Sequence, residues 1–206
     1  MFDPGPCVYM EKIAVGPGAA GSIDITRSPT ENLHSIAEAK NKPVENLTAV
    51  ILDRDRHSEL IKEVRAAGAR IRLIPDGDVA GAISTAWAGA GADVLFGIGG
   101  TPEGVISAAA LMCMGGEQQG LLWPRNEAER KEATEAGFDL SKVLHISDMV
   151  SSDCFFAATG ITDGDLLEGV QFERGIATTQ SLVMRSKSGT VRLIEGQHQL
   201  EKYSRL

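Results

Sequence analysis

The sequence contains no run of about 18 apolar residues, the length that a membrane-spanning helix needs. Its first residues also lack the basic start and the apolar stretch of a signal peptide. The three cysteines, Cys7, Cys113 and Cys154, are far apart, and neither a CxxC pair nor a cysteine–histidine spacing typical of zinc modules occurs. We therefore expect a cytoplasmic protein with reduced thiols and no membrane partner.

Positive charge is scarce as well. Twenty lysines and arginines face 28 aspartates and glutamates, which gives a net charge of −8 at pH 7, and no basic stripe is present, so we expect no nucleic-acid partner. The chain does have the apolar content of a globular core, since 43% of its residues are hydrophobic, and its 23 glycines suggest tight turns and ligand-binding loops. Because no internal repeat or low-complexity linker occurs, we expect residues 1–206 to form a single domain.

The middle of the chain alternates between two patterns. Stretches rich in β-branched and apolar residues predict strands at residues 47–52, 70–75 and 93–98. Each is followed by a predicted helix, at residues 58–68, 78–88 and 103–114. Alternation at this spacing predicts βαβ units with right-handed crossovers and a parallel or mixed sheet.

The two ends of the chain show other patterns. Before the alternation we expect strand residues at 7–10 and 13–15, a short extended piece at 22–25, and a helix that Thr30 caps and that ends near Lys40. After it we expect a strand at 120–123 and an exposed, highly charged helix at 127–136. From residue 153 onward the pattern predicts strands joined by short turns, at residues 155–158, 169–172, 178–184 and 189–194, followed by a polar tail from Gln197.

Residues 98–105, with the sequence IGGTPEGV, are the stretch around which the chain is organised. They join a predicted buried strand to a predicted buried helix, and Glu103 lies near the helix start. Free N–H groups at a helix start favour anions, and a carboxylate there suits Mg²⁺ or Mn²⁺. The alternative is that Glu103 only complements the helix dipole. The glycines of this stretch do not form a dinucleotide-binding loop, because the GxGxxG spacing is absent.

Polar residues follow three consecutive predicted strands, and ligands bind beyond the carboxyl ends of strands in such sheets. Arg54 and Arg56 follow the first strand and suit a phosphate group, although they could instead pair with neighbouring aspartates. Asp76 and Asp78 flank Gly77 after the second strand and suit sugar hydroxyls or a metal, although they could instead form a turn and a helix cap. Together with Glu103 after the third strand, these groups suit a phosphorylated sugar.

Other polar residues are less informative. The hydroxyl of Tyr9 could reach a phosphate, or the ring could belong to the core. The second DGD sequence, residues 163–165, is interpreted as a turn. The four histidines are dispersed and are interpreted as surface or structural residues: His34, His57, His145 and His198.

Six motifs in order carry a resemblance to a known family. They lie at residues 8–17, 52–57, 76–83, 97–104, 159–166 and 184–191. Over nearly its whole length the chain resembles the later two-thirds of the class II fructose-1,6-bisphosphatases of the bacterial GlpX type.

The resemblance implies the layered sugar-phosphatase fold, an α/β/α/β/α sandwich, of which this chain would be the later part, with βαβ units followed by a mostly antiparallel strand region. It also implies hydrolysis of the 1-phosphate of fructose 1,6-bisphosphate in gluconeogenesis, with Mn²⁺ or Mg²⁺, by a homo-oligomer (dimer or tetramer) of the full-length form. Some relatives also accept sedoheptulose 1,7-bisphosphate. By resemblance Glu103 is a metal ligand, and the substrate contacts are Tyr9, Arg54, Arg56, Asp76, Gly77, Asp78 and Gly100.

In the family, the other metal-binding carboxylates and the segment that holds the scissile phosphate lie in an N-terminal portion, which we expect to precede the position of Met1. No catalytic residue is therefore assigned to this chain, and we expect it to have little or no activity alone. Three alternatives stay open: a sugar-phosphate sensor without catalysis, a structural or assembly role, and another phosphatase substrate such as an inositol phosphate. The arginine pair fits a second phosphate and so favours a bisphosphate.

Overall fold

The computed structural model describes residues 2–203. Ten strands are present in that part of the chain: β1 (Tyr9–Val15), β2 (Thr48–Leu52), β3 (Arg70–Ile74), β4 (Val94–Gly100), β5 (Glu117–Leu122), β6 (Leu144–His145), β7 (Phe155–Thr159), β8 (Gln171–Glu173), β9 (Ile176–Arg185) and β10 (Thr190–Gln199). Its α-helices are α1 (Pro29–Ala39), α2 (Ser58–Ala66), α3 (Asp78–Ala86), α4 (Thr101–Met114), α5 (Glu127–Glu135), α6 (Ile146–Met149) and α7 (Leu200–Tyr203). The predicted alternation of strands and helices in the middle of the chain is confirmed.

The first sheet has six strands in the order β3-β2-β4-β1-β5-β6. Strands β2, β3 and β4 are parallel, as the βαβ pattern predicts, with Ile51 opposite Phe96. Strand β1 lies antiparallel between β4 and β5, so that Tyr9 pairs with Gly100 at the carboxyl end of β4. The start of the chain thus contributes directly to the edge of the sheet where the polar strand ends lie.

The second sheet is antiparallel, with the order β10-β9-β7 and with β8 paired to β9. This confirms the predicted antiparallel region. The last strand is longer than the predicted 189–194, because β10 runs on to Gln199 and a short helix follows it. Backbone pairing along the whole of β9 explains the extension, since even polar residues such as Gln197 find a ladder partner there.

Helices α3 and α4 lie between the two sheets, while α1 and α2 cover the other face of the first sheet. On the first-sheet side, Ala82 of α3 and Leu111 of α4 pack with Val50 and Leu95. Against the second sheet, these two helices bury a separate set of side chains: Ile83, Ala110, Cys113, Phe156, Leu182 and Met184. Contact on both sides explains why α4 is apolar all round instead of amphipathic. The layered α/β arrangement of the sugar-phosphatase fold is confirmed.

One local prediction, the cap of α1, is wrong. The N-cap of α1 is Ser28, which forms a capping box with Glu31, whereas the Thr30 hydroxyl donates to Glu63 at 3.0 Å. Residues 22–25, expected to be a short extended piece, pair with no strand; the N–H of Ile25 donates instead to the Gln119 amide oxygen at 2.9 Å.

The helices found between residues 2 and 203 include none that is both long enough and apolar enough to cross a membrane.

Candidate functional site

The candidate site lies at the edge of the first sheet where β2, β3 and β4 end and β1 begins. Tyr9 is opposite Gly100 in the β1–β4 ladder, and the N–H of Trp123 donates to the Tyr9 carbonyl at 2.9 Å. The start of β1 is therefore held from both sides. Because parallel strands end at this edge, the polar residues that follow them converge here, as the sequence predicts.

Arg56 is held against the end of β4. Its Nε and Nη2 atoms donate to the Ile98 carbonyl at 3.0 and 2.8 Å, and its guanidinium carbon lies 5.4 Å from the centroid of the Tyr9 ring. These bonds use two of the five guanidinium N–H groups, so the others can bind an anion. Arg54 donates from Nη1 to the backbone oxygen of Asp53 at 2.8 Å. Within residues 2–203 neither arginine forms an ion pair with Asp53 or Asp55, so the alternative of local ion pairs is wrong.

The His57 side chain is buried between the end of β2 and the end of β4, next to Arg56. This side chain is 1% exposed; its Nδ1 lies 2.7 Å from the Leu52 carbonyl, and the N–H of Ile98 donates to its Nε2 at 2.8 Å. Burial lowers the pKa of His57, and the positive charge of Arg56 lowers it further. The neutral ring with its proton on Nδ1 satisfies both bonds. Its interpretation as a structural histidine is confirmed. The sequence does not predict that His57 accepts the backbone N–H of Ile98 while Arg56 donates to the carbonyl of the same residue.

The two aspartates of the first DGD sequence have different environments. Gly77 has a φ angle of +78° and precedes the first residue of α3, which is Asp78. The Asp76 side chain is exposed, whereas Asp78 is 8% exposed and forms a buried ion pair with Lys12. The N-cap of α3 is Gly77, so neither aspartate is the N-cap residue, although the stretch does form the turn that leads into the helix. Sequence reasoning missed Lys12, and the signal for it is a lysine that directly precedes the apolar residues 13–15 of β1.

Glu103 lies in the first turn of α4 with an exposed side chain, and its carboxylate folds back over Gly100, where a Cβ atom would collide with it. This position suits a metal ligand and also complements the helix dipole. In the part of the chain that the structure describes, no group of three or more His, Cys, Asp or Glu residues could hold a metal ion. These residues therefore do not form a complete metal centre, and Glu103 is a single candidate ligand.

The second DGD sequence lies near the first but is held by structural contacts. The carboxylate of Asp163 accepts the N–H of Gly169 at 2.8 Å, and Asp165 lies 3.6 Å from the guanidinium of Arg72. Together with Asp76, this loop borders a cavity of ≈ 320 Å³ beside α3. The contacts of Asp163 agree with its interpretation as a turn residue.

Arg125 is a second residue that sequence reasoning missed. It follows β5, its guanidinium carbon lies 5.8 Å from the centroid of the Tyr9 ring, and its Nε donates to Glu129 at 2.7 Å. Tyr9 therefore lies close to two arginines, Arg56 and Arg125. The geometry links Tyr9, Arg56, Asp78, Gly100 and Glu103 into one constellation, while Arg54 and Asp76 are exposed at the ends of neighbouring strands.

Comparison with known proteins shows the family of the chain. The model of the family described as "Bacterial fructose-1,6-bisphosphatase, glpX-encoded" matches residues 1–198. The chain belongs to this family. A curated relative, Fructose-1,6-bisphosphatase 1 class 2 of Escherichia coli (strain K12), is 43% identical over 215 residues, and the match covers 98% of this chain. Two further relatives, each named Fructose-1,6-bisphosphatase class 2, match to the same extent and come from Escherichia coli O6:H1 and Shigella flexneri.

The GlpX-type chain spans 64% of the length of each of these relatives. The resemblance drawn from the six sequence motifs is confirmed. Within this GlpX-type structure the residues expected to contact substrate all lie at one edge of the first sheet, and the single residue expected to bind metal lies among them.

Proposed function

We propose that this chain carries the sugar-phosphate-binding part of a class II fructose-1,6-bisphosphatase. In the full-length enzyme it would take part in hydrolysis of the 1-phosphate of fructose 1,6-bisphosphate, which gives fructose 6-phosphate and phosphate in gluconeogenesis. The observation that carries the proposal is the meeting of Arg56, Tyr9, Asp78, Gly100 and Glu103 at one edge of the sheet, in a chain of the GlpX family.

Each residue has a chemical role in this proposal. The forked guanidinium groups of Arg54 and Arg56 bind phosphate oxygens, and Tyr9 adds a hydroxyl beside them. Asp76 and Asp78 accept hydrogen bonds from sugar hydroxyls. The backbones of Gly77 and Gly100 contact the substrate, because the absence of a side chain permits close approach.

Glu103 is proposed as one ligand of Mn²⁺ or Mg²⁺, both of which prefer carboxylate oxygens. A bound metal would neutralise phosphate charge and activate water. Because the described residues offer no set of three ligands, we propose that the remaining ligands come from another part of the full-length enzyme and that this chain alone has little or no activity.

The other properties that we propose follow from the family resemblance and from composition. We propose a single domain, a homo-oligomer (dimer or tetramer) of the full-length form, a cytoplasmic location and no nucleic-acid partner. The three cysteines are free in the structure, which agrees with a reducing compartment, and the net charge of −8 disfavours binding to nucleic acid.

A second candidate function is a sensor that binds a sugar phosphate without turnover. The observation that favours it is that, within the described part of the chain, Glu103 belongs to no group of three or more side chains that could hold a metal ion. Binding of fructose 6-phosphate that needs no metal, together with no phosphate release under any condition, is the expected behaviour of such a sensor.

The test of the proposed function is the affinity of the chain for fructose 6-phosphate, measured by titration calorimetry with and without Mn²⁺. Replacing Arg56 by Gln removes the charged donors at the proposed phosphate site and is expected to weaken binding about tenfold to a hundredfold. Arg70→Gln is the matched control, because Arg70 lies at the opposite end of the parallel strands and bonds Asn46 at 2.9 Å. Equal loss in both variants, or no binding by the unmodified chain, would overturn the proposal.

A further inference from the structure

Lys12 is the most deeply buried cation at the candidate site, and nothing above assigns it a role. It lies in the middle of β1 and is 3% exposed. A buried ammonium group needs charged and polar partners, because taking it out of water is costly. Its Nζ has two: the Oδ2 atom of Asp78, with which it forms the ion pair, and the Gly100 carbonyl oxygen at 3.2 Å.

Two glycines of residues 97–104 make room for this side chain. A Cβ atom on Gly99 would lie 2.9 Å from the Lys12 Nζ, and one on Gly104 would lie 3.2 Å from the Lys12 Cδ. Both distances are shorter than an ordinary contact between side chains. A Cβ atom at these positions would also meet Asp78 Oδ2 and Met10 Sδ, so both glycines leave room for the Lys12 side chain and for its neighbours.

The two partners of Lys12 belong to different elements. Asp78 is the first residue of α3, and Gly100 is the residue before α4, whose first turn carries Glu103. One ammonium group thus connects the start of the helix that carries a proposed sugar contact to the start of the helix that carries the proposed metal ligand. The ion pair engages Oδ2 of Asp78, which leaves Oδ1 to accept a hydrogen bond from a ligand.

A buried ion pair is a poor source of stability compared with apolar residues of similar size, so stability alone gives little reason for a lysine here. We propose that Lys12 is a positioning residue, which holds the carboxylate of Asp78 at a fixed place relative to the 100–103 segment so that a sugar hydroxyl and a phosphate can be bound together. This inference rests on the proposed function for the identity of the ligand, but the link between the two helix starts does not depend on it.

The first test compares two ligands in the Lys12→Met variant, with Lys62→Met as the control. Lys62 is an exposed lysine of α2 that pairs with Glu59 at 2.7 Å, away from the site. We expect Lys12→Met to lower the affinity for fructose 6-phosphate about tenfold or more, because a displaced Asp78 no longer meets the sugar, while the affinity for inorganic phosphate stays within about twofold. A purely structural lysine would lower both affinities equally, and this result, or no change in either, would overturn the inference.

The second test does not need a ligand. Amide hydrogen exchange is measured in the Lys12→Met variant for residues 77–81 and 101–104, and we expect both segments to exchange about tenfold faster than in Lys62→Met. If the single variant does not fold, the double variant Lys12→Met/Asp78→Asn, which leaves no unpaired buried charge, is used for the same measurement. Faster exchange in only one segment, or in neither, would contradict the link. If the unmodified chain binds neither ligand, the proposed function fails, and this second test alone decides the role of Lys12.

Discussion

Replacement of His57 by Ala is the substitution with the most specific expected consequences. The N–H of Ile98 donates to Nε2 of the imidazole at 2.8 Å, and Nδ1 of the ring lies 2.7 Å from the Leu52 carbonyl oxygen. Losing a hydrogen bond to a buried group costs about 1–3 kcal/mol, which gives about 2–6 kcal/mol for the two bonds of the His57 ring. We expect the free energy of unfolding of His57→Ala to fall by an amount in that range.

The pH dependence gives an independent check on the same residue. Burial lowers the pKa of His57 in the folded state, so the unfolded chain binds a proton at a higher pH than the folded chain does. The stability that the neutral ring contributes is therefore complete above the ordinary histidine pKa of about 6.5, and is lost as the pH falls from there through the lower folded-state value. His57→Ala is expected to lose this part of the pH dependence.

The assay is urea unfolding followed by fluorescence at several pH values between about 5 and 8, a range that brackets the ordinary histidine pKa. His34→Ala is the control, because His34 is exposed in α1, and its effect is expected to stay within about 0.5 kcal/mol. The reasoning is refuted if His57→Ala and His34→Ala have the same stability, or if the pH dependence near 6 survives in His57→Ala.

Three further substitutions test the fold. Burial by itself raises the pKa of Asp93, but its bonds to Lys40 and to the Thr48 N–H lower that pKa overall. Asp93→Asn is expected to lower the free energy of unfolding by about 1–3 kcal/mol above pH 5, measured by urea unfolding. This loss shrinks as the pH falls through the lowered pKa of Asp93. Gly97→Ala is expected to lower the free energy of unfolding by more than about 1 kcal/mol in the same assay. The φ angle of Gly97 is +142°, and a Cβ atom there would lie 3.1 Å from the His57 ring. Leu182→Ala, at a fully buried position, is expected to lower the free energy of unfolding by about 2–5 kcal/mol.

Each of these substitutions has a matched control. Gly18→Ala places a Cβ in open space, Leu193→Ala removes a side chain that is 54% exposed, and Asp53→Asn changes an exposed carboxylate. Each control is expected to change the free energy of unfolding by less than about 0.5 kcal/mol. A control that costs as much as its partner substitution contradicts the structural reason given for that partner.

The local part of the fold could be predicted because it depends on periodicity and on turn residues. The strands and helices between residues 47 and 114 follow from alternation, N-terminal polar residues and glycines, and the predicted bounds differ from the observed ones by two residues or fewer. The placement of β1 between β4 and β5 could not be predicted, since it depends on pairing between residues 79 to 112 positions apart. The same limit explains the error at the end of β10, whose polar residues are held by a partner strand.

The site shows the same division. The arginines and carboxylates that follow the strands indicate a phosphorylated sugar. That they lie close together is also predictable, because parallel strands end at the same edge of the sheet. The difference between Asp76 and Asp78 could not be predicted, because it depends on Lys12, which is 66 residues from Asp78 in sequence. Likewise, the sequence leaves open whether Arg56 binds a phosphate or pairs with a neighbouring aspartate, and only the fold shows that its guanidinium donates to the Ile98 carbonyl.

The most direct measurement is phosphate release from fructose 1,6-bisphosphate in the presence of Mn²⁺. It compares the 206-residue chain alone with the same chain mixed with a separate polypeptide made from the part of the Escherichia coli relative that this chain does not span. We predict release only in the mixture and loss of that release in Glu103→Gln, with Glu38→Gln, an exposed glutamate of α1, as the control. Release by the chain alone, or undiminished release by Glu103→Gln, would contradict the account.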